Sequence, residues 1–187
     1  MFAPNYHSAM KFVGPTRKKI GKRTIFNMIG PLSSPALVER QVVGVFDKKW
    51  MKPFAEALKE NNVVHAYIVH SDDGMDEISI SSPTTVTELR NKTITTYTIK
   101  PADFGLDLAD LKTIQVENAD ASKAMMIDVL NGSQGSHRNI TILNAGAAIY
   151  VSGITSTLKE GIEKAISVID QGLALKKLEA LKVASHG

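Results

Sequence analysis

Residues 41–46 read Gln41-Val42-Val43-Gly44-Val45-Phe46, and this apolar, β-branched run is typical of a buried β-strand. Asp47 follows it and can cap a helix that extends to Asn61. One face of that helix carries a large apolar side chain every fourth residue, at Trp50, Phe54 and Leu58. A second apolar run, residues 63–70, comes next. Strand, helix and strand with short connections predict a βαβ unit with two parallel strands, and hence an α/β fold.

An acidic stretch directly follows the second predicted strand. Asp72-Asp73-Gly74-Met75-Asp76-Glu77 places four carboxylates within six residues, where like charges repel one another. Hard cations with oxygen ligands relieve such repulsion, and Mg²⁺ favours one or two carboxylates together with substrate phosphates. The stretch therefore indicates a magnesium site for a phosphorylated substrate. Because Asp-Gly is also an ordinary turn dipeptide, an acidic surface turn is the alternative.

The middle of the chain changes to β-prone and then helical patterns. Residues 84–89 and 93–99 are rich in threonine, and the three residues between them, Arg90-Asn91-Lys92, predict a β-hairpin. After Pro101 the pattern becomes helical. Asp120 precedes a predicted helix that ends at Asn131-Gly132.

Two further helices are predicted towards the C-terminus. The run Asn144-Ala145-Gly146-Ala147-Ala148 consists of small residues suited to close packing between helices. A capping box at Thr157 opens the next helix. That helix can continue to Leu181, and its apolar stripe comprises Leu158, Ile162, Ile166, Ile169 and Leu173.

The N-terminal segment is predicted to be helical over residues 8–20. An interruption is expected at Gly14-Pro15, with Pro15 in the first turn of a second short helix that ends at Gly21. A loop with two prolines, residues 30–35, separates this segment from the first strand.

Four residues in this segment are candidates for ligand contacts. Arg17 offers a planar set of donors suited to a carboxylate or phosphate, although Thr16-Arg17-Lys18-Lys19 also fits a solvated basic face. Gly30-Pro31 can bring the backbone close to a ligand or simply form a turn. His7 by itself fits a structural role as well as a functional one.

The composition excludes several classes of function. The 187 residues contain no cysteine, which excludes disulfides, thiolate metal sites and a cysteine nucleophile. No apolar run approaches the length of a membrane span and no secretory signal pattern opens the chain, so a cytoplasmic protein is expected. The net charge is +3 and most basic residues are dispersed, which argues only weakly for nucleic-acid binding.

Several separate motifs, taken in order, resemble one family. They cover essentially the whole chain, and their order and spacing make the resemblance far more specific than any single motif. The resemblance is to anthranilate phosphoribosyltransferase of tryptophan biosynthesis. The stretches that carry it are Tyr6-His7-Ser8-Ala9-Met10-Lys11, Arg17, Arg23-Thr24-Ile25-Phe26-Asn27-Met28-Ile29-Gly30-Pro31-Leu32-Ser33-Ser34-Pro35-Ala36, Gln41-Val42-Val43-Gly44-Val45-Phe46, Asp73-Gly74-Met75-Asp76-Glu77, Pro101-Ala102-Asp103-Phe104-Gly105-Leu106 and Asn144-Ala145-Gly146-Ala147-Ala148.

The resemblance implies a pentosyltransferase reaction. The family joins anthranilate to the ribose of phosphoribosyl pyrophosphate and gives N-(5-phosphoribosyl)anthranilate and pyrophosphate, with Mg²⁺ on the pyrophosphate. Catalysis of this kind rests on positioning and on neutralising the leaving group. The complete enzyme is expected to be a homodimer.

The resemblance also assigns residues. Six positions match site residues of the family: Asp76 and Glu77 for magnesium, and Arg17, His7, Gly30 and Pro31 for anthranilate. Arg17 would pair with the anthranilate carboxylate, and the other three would line the same pocket. Asp72 and Asp73 are expected to be acidic turn residues without a direct role.

Two departures from the family pattern accompany the resemblance. Ser33-Ser34 stands where the family usually has Thr-Asn, a mild change beside the pocket. The family's upstream glycine-rich phosphate loop and Lys-His-Gly-Asn motif do not occur in the sequence. Residues 1–187 are therefore expected to be the C-terminal α/β domain, a partial mixed sheet with flanking helices, without the N-terminal helical and phosphate-loop part.

These absences lead to two expectations. The glycine-rich loop would supply backbone N–H groups for the phosphates, so little or no turnover is expected from this chain alone. The upstream part would also cover a sheet edge and apolar helix faces, so marginal stability or association with a complementary polypeptide is expected.

Other classes of function stay open from the sequence. One is a nucleic-acid-binding relative of the same fold without transferase activity, which the net charge permits but the intact Asp76-Glu77 pair and Arg17 oppose. Another is a regulatory or interaction half that binds a partner subunit without catalysis. A pyrimidine nucleoside phosphorylase shares the broad fold, but residues 23–36 favour the anthranilate enzyme over it.

Overall fold

The computed structural model describes residues 5–8, 10–22 and 24–186, and the chain divides into two compact units after residue 39. The N-terminal unit holds helix α1 (Met10–Ile20) and a short 3-10 turn (Ile25–Asn27). The second unit holds the sheet and the remaining helices. In chain order these are β1 (Arg40–Gly44), α2 (Met51–Glu60), β2 (His65–Ser71), β3 (Thr84–Arg90), β4 (Thr93–Ile99), α3 (Ala119–Leu130), α4 (Ser136–Ser152), α5 (Leu158–Asp170) and α6 (Leu173–His186).

Helix α1 runs without the interruption expected at Gly14-Pro15, so that prediction is wrong. The fixed φ of proline lies in the helical range, and the helix continues through it with the loss of one hydrogen bond. The predicted end is confirmed, because Gly21 has a φ of +61° and its N–H donates to the Arg17 carbonyl over 3.1 Å. A left-handed residue just past the last turn is the usual way for a helix to end.

The sheet confirms the predicted α/β architecture. Its four strands lie in the order β1-β2-β3-β4, with β1 parallel to β2 and the other neighbours antiparallel. Asp47 accepts a hydrogen bond from the Lys49 N–H over 3.0 Å and so caps the 3-10 turn that leads into α2, as predicted. The crossover from β1 through α2 to β2 is the predicted βαβ unit, and the sheet is mixed.

The predicted hairpin is formed by β3 and β4. Asn91 and Lys92 connect the two strands with φ values of +48° and +66°. Two consecutive positive φ values define the type I′ turn, whose twist matches that of the strands it joins. Arg90, the first of the three predicted turn residues, is instead the last residue of β3.

Helices cover both faces of the sheet. Side chains alternate along β2, so Tyr67 and Val69 point to one face and Ala66 and Ile68 to the other. The first pair belongs to a core that α4 and α5 complete, while α2 packs on the opposite face through buried Phe54 and its neighbours. A strand buried on both faces reads as a continuous apolar run, which explains the pattern of residues 63–70.

Helices α4 and α5 approach each other at two glycines. A Cβ on Gly146 would lie 2.7 Å from the Cα of Ile162, and one on Gly161 would overlap the carbonyl oxygen of Gly146. The small-residue run of α4 therefore serves close helix packing, as predicted. The capping box at Thr157 is also present, with its side chain accepting from the Glu160 N–H over 3.2 Å.

Two helix boundaries differ from the prediction. The helix that opens at Thr157 ends at Asp170 and does not continue to Leu181, because Gly172 takes a left-handed φ of +65° before α6 begins. Helix α3 begins at Ala119, so Asp120 lies within its first turn and does not precede it. Asn118 caps the helix, and its side chain accepts from the Ala121 N–H over 2.9 Å. In both cases the boundary depends on one residue near the helix end, where local sequence patterns predict structure least precisely.

Among the described residues, no helix has both the length and the apolar character needed to span a bilayer.

Candidate functional site

The acidic stretch forms a loop at one edge of the sheet. It leaves β2 at Ser71 and leads through residues 72–83 to β3. Because β1 and β2 are parallel, Gly44 at the end of β1 lies at the same edge. Open α/β sheets bind their ligands in the crevice outside the carboxyl ends of the strands, so the fold places this loop where a ligand is expected.

The first two acidic residues of the loop are engaged in its own structure. Asp72 pairs with the Lys48 ammonium over 2.6 Å. The Asp73 carboxylate accepts from the Ser79 hydroxyl over 2.5 Å and from the Ser81 hydroxyl, and it accepts from the Met75 N–H over 3.1 Å. Desolvation opposes ionisation of Asp73, but these hydrogen bonds outweigh it and hold the pKa of the carboxyl below its usual value.

Asp76 and Glu77 are adjacent, exposed carboxylates on the same loop. Partial burial and the neighbouring Asp76 charge both raise the pKa of Glu77. A cation beside the pair would relieve this repulsion, so the donor chemistry fits Mg²⁺. Within the part of the chain that the structure describes, no three His, Asp or Glu side chains are grouped to hold a metal. The remaining ligands would then come from water or from substrate phosphates, as is common for Mg²⁺.

Gly44 allows the loop to lie against the sheet. A Cβ at this position would overlap the Asp76 carbonyl oxygen and would lie 2.5 Å from the carbonyl carbon of Asp76. Only glycine fits where another backbone approaches so closely. The sequence carried one signal for this contact, a glycine within an otherwise β-branched strand.

The loop is also held from its buried side. The Ser71 hydroxyl donates to the Glu77 carbonyl over 2.5 Å and contacts the Thr84 hydroxyl at 2.7 Å. The side-chain amide of Asn144, on α4, binds both backbone polar groups of Ile78. Asn144 belonged to a recognised motif, but nothing in the local pattern pointed to this contact.

The predicted anthranilate-binding residues all belong to the N-terminal unit. Arg17 is half-buried on α1, and its guanidinium carbon lies 5.9 Å from the centre of the Phe26 ring, a cation–π distance. His7 and Pro31 are also half-buried, and Gly30 is exposed within a loop of successive turns. These four assignments stay predictions, as do those of Asp76 and Glu77.

A second polar cluster lies at the other end of β2. Glu88 is buried on β3 and accepts from Tyr97 over 2.7 Å and from Tyr150 over 3.0 Å. His65 Nε2 also lies 2.8 Å from the Glu88 carboxylate. The Tyr67 hydroxyl lies 2.6 Å from the Tyr97 hydroxyl. His65 is the first residue of β2, so the cluster lies about 20 Å from the acidic loop along the strand.

The hydrogen bonds of this cluster determine the ionisation of its members. Burial opposes ionisation of Glu88, but the bonds from His65, Tyr97 and Tyr150 outweigh it and lower the pKa of Glu88. Burial raises the pKa of Tyr67 and of Tyr97, so both hydroxyls stay protonated as donors. Sequence reasoning missed this cluster, whose only signal was a glutamate within a threonine-rich strand.

A protein-family model described as glycosyl transferase family, a/b domain, matches residues 1–175. Among curated proteins, one named anthranilate phosphoribosyltransferase from Methylobacillus flagellatus is 48% identical over 186 residues, covering 100% of this chain and 54% of that protein. One of the same name from Marinomonas sp. is 50% identical over 183 residues, covering 97% of this chain and 53% of that protein. The chain spans about half the length of the curated relatives it matches.

Solved structures show the same likeness. Anthranilate phosphoribosyltransferase from Thermus thermophilus superposes with a TM-score of 0.84 at 34% identity, covering 93% of this chain and 51% of that one. The enzyme of that name from Saccharomyces cerevisiae, in complex with phosphoribosyl pyrophosphate and Mg, gives a TM-score of 0.81 at 28% identity. There the match covers 92% of this chain and 50% of that one.

Proposed function

The chain belongs to the glycosyl transferase family through its a/b domain, and on this premise we propose that it is a portion of an anthranilate phosphoribosyltransferase that carries acceptor-binding and magnesium-binding residues. The observation that carries the proposal is the pair of exposed carboxylates, Asp76 and Glu77, at the carboxyl edge of the sheet. A yeast relative whose structure contains phosphoribosyl pyrophosphate and Mg supports it.

In the proposed reaction the anthranilate nitrogen bonds to the anomeric carbon of the ribose as the bond from that carbon to pyrophosphate breaks. Asp76 and Glu77 would hold Mg²⁺, which when bound supplies positive charge to the departing pyrophosphate. Arg17 would bind the anthranilate carboxylate and so orient the amine, while His7, Gly30 and Pro31 would line the acceptor pocket. Residues 1–187 would form the C-terminal α/β domain of a cytoplasmic enzyme that is a homodimer when complete.

The magnesium assignment predicts a specific loss in the double variant Asp76→Asn, Glu77→Gln. Titration calorimetry of phosphoribosyl pyrophosphate, with and without Mg²⁺, would measure the affinity that depends on the metal. Each charge-assisted contact contributes about 1.5–3 kcal/mol. The factor by which Mg²⁺ raises the affinity for phosphoribosyl pyrophosphate should therefore fall at least tenfold. The double variant Asp128→Asn, Glu163→Gln changes two exposed carboxylates elsewhere and should behave as wild type. Equal magnesium dependence in all three proteins would refute the assignment.

The acceptor assignment predicts weaker anthranilate binding by Arg17→Ala. Loss of a charge-assisted bond to the carboxylate should cost roughly 1.5–3 kcal/mol, about ten- to a hundredfold in affinity, measured by the fluorescence of anthranilate. Lys18→Ala and Lys19→Ala remove exposed charges from the same helix and serve as matched controls. If all three variants bind anthranilate as well as wild type, Arg17 does not bind its carboxylate.

A further inference from the structure

The backbone of residue 78, next to Glu77, is bound by a side chain from a distant helix. The Asn144 Oδ1 accepts from the Ile78 N–H over 3.0 Å, and its Nδ2 donates to the Ile78 carbonyl over 2.9 Å. The same Nδ2 donates to the Ile140 carbonyl, one turn earlier in α4, over 3.0 Å. Asn144 therefore satisfies both backbone groups of one loop residue and is itself oriented by its own helix.

The orientation of this amide follows from its partners. Two carbonyl oxygens face Nδ2 and one N–H faces Oδ1, so a reversed amide would lose all three hydrogen bonds. Asn144 is half-buried and Ile78 is buried, where a lost partner leaves a polar backbone group unsatisfied. The contact thus selects one position for Ile78 relative to α4.

Other contacts join the loop to the strands. The Ser71 hydroxyl, on β2, donates to the Glu77 carbonyl and accepts from the Ser79 N–H, so the strands hold the loop on either side of residue 78. Asn144 adds the contact to the helical layer.

Asp73 binds Ser79, Ser81 and the Met75 N–H, all of which lie within the loop itself. These bonds set the internal shape of the loop. Gly44 permits a close approach to the sheet but supplies no directional bond, so Asn144 is the directional contact to the helical layer nearest to the acidic pair.

From this geometry we infer that Asn144 is a positioning residue for the metal-binding pair Asp76-Glu77. The inference rests on the proposed function, because it assigns Asn144 a role only if that pair binds a divalent cation. Groups that orient metal ligands without touching the metal commonly change metal affinity 10- to 100-fold when they are removed.

The test measures metal affinity directly. Mn²⁺, a paramagnetic substitute for Mg²⁺, is titrated into ¹⁵N-labelled protein, and the broadening of the Asp76 and Glu77 amide signals gives a dissociation constant and the location of the ion. Asn144→Leu removes all three hydrogen bonds and is expected to weaken Mn²⁺ binding about tenfold. Thr141→Val is the matched control, because the Thr141 hydroxyl donates to the His137 carbonyl one turn earlier in α4, and the variant should bind Mn²⁺ as wild type does.

A second variant covers the case in which Asn144→Leu does not fold. Asn144→Ala removes the same hydrogen bonds without a bulkier side chain and without a new charge near the acidic pair. It is also expected to weaken Mn²⁺ binding. Hydrogen exchange should rise at residues 76–79 in both variants while the amides of β2 stay protected, which distinguishes misplacement of the loop from general destabilisation.

The outcomes separate the inference from the proposed function. Wild-type Mn²⁺ affinity in a folded Asn144 variant, together with loss of binding in Asp76→Asn, Glu77→Gln, would overturn the inference alone. A lower urea midpoint with unchanged Mn²⁺ affinity would also overturn it, since Asn144 would then be only structural. Unchanged broadening in Asp76→Asn, Glu77→Gln would overturn both, because no metal-binding pair would exist for Asn144 to position.

Discussion

If Asp76 and Glu77 bind Mg²⁺ as proposed, replacing Gly44 by alanine is expected to remove the magnesium-dependent binding of phosphoribosyl pyrophosphate while the sheet stays folded. The new Cβ would overlap the carbonyl oxygen of Asp76 and lie 2.5 Å from its carbonyl carbon. Both atoms belong to the backbone, so no rotamer change can relieve the overlap. The loop must move away from β1 and carry the acidic pair with it. Displacements of about 1 Å at a reacting centre can cost on the order of a hundredfold.

The measurement is titration calorimetry with and without Mg²⁺, combined with the urea midpoint of the variant. Gly14→Ala is the matched control, because a Cβ there meets nothing within 4 Å and its backbone conformation is helical. Alanine is the better helix former, so this control should bind normally and be equally or more stable. If Gly44→Ala binds phosphoribosyl pyrophosphate with the magnesium dependence of wild type, the position of Asp76 against β1 does not affect metal binding.

Replacing Glu88 by alanine is expected to destabilise the fold by about 3 kcal/mol. Two tyrosine hydroxyls and one histidine nitrogen would lose their bond to the carboxylate, and each unsatisfied buried group costs about 1–3 kcal/mol. The two hydroxyls keep contacts with Tyr67 and Arg90, which limits the total. Because the lost interactions couple to one another, the separate costs do not add fully. Glu117→Ala removes an exposed glutamate and is the control, with a change expected to lie within about 0.5 kcal/mol.

The same carboxylate gives stability a dependence on pH. The pKa of Glu88 is lower in the folded protein than in the unfolded chain, so its contribution is present above the unfolded pKa. That contribution is lost as the pH falls through the folded value. Urea denaturation at pH 7 and at about pH 3.5 should therefore show a larger loss of stability for wild type than for Glu88→Gln. An equal loss in both proteins would mean that Glu88 does not ionise differently on folding.

Local patterns were sufficient for the parts of the fold that depend on neighbouring residues. The apolar runs on either side of α2, the cap at Asp47 and the turn residues before β4 each carry their own signal. Pro15 shows where such a signal fails. A proline weakens a helix without forbidding it. The local sequence does not show whether the other residues of α1 stabilise the helix enough to include Pro15.

The long-range contacts of the Glu88 cluster and of the candidate site could not be predicted in this way. Glu88 meets His65 because the antiparallel pairing brings β3 beside β2, and the two residues are 23 positions apart. Asn144 and Ile78 are 66 positions apart and meet only when α4 lies on the sheet. The acidic pair itself was visible in the sequence, whereas the groups that place it depend on the whole fold.

The two glycines where α4 and α5 cross have a consequence for the axial position of these helices. Their contact joins backbone to backbone, so it has no side chain that could adapt to a shift along the axis. Moving α4 by one residue, a shift of about 1.5 Å along the axis with a rotation of about 100°, would bring a Cβ of Ala145 or Ala147 into the place of Gly146. The crossing thus permits one register between the helices. Because Asn144 lies two residues before Gly146, the same register fixes its position along α4 relative to α5.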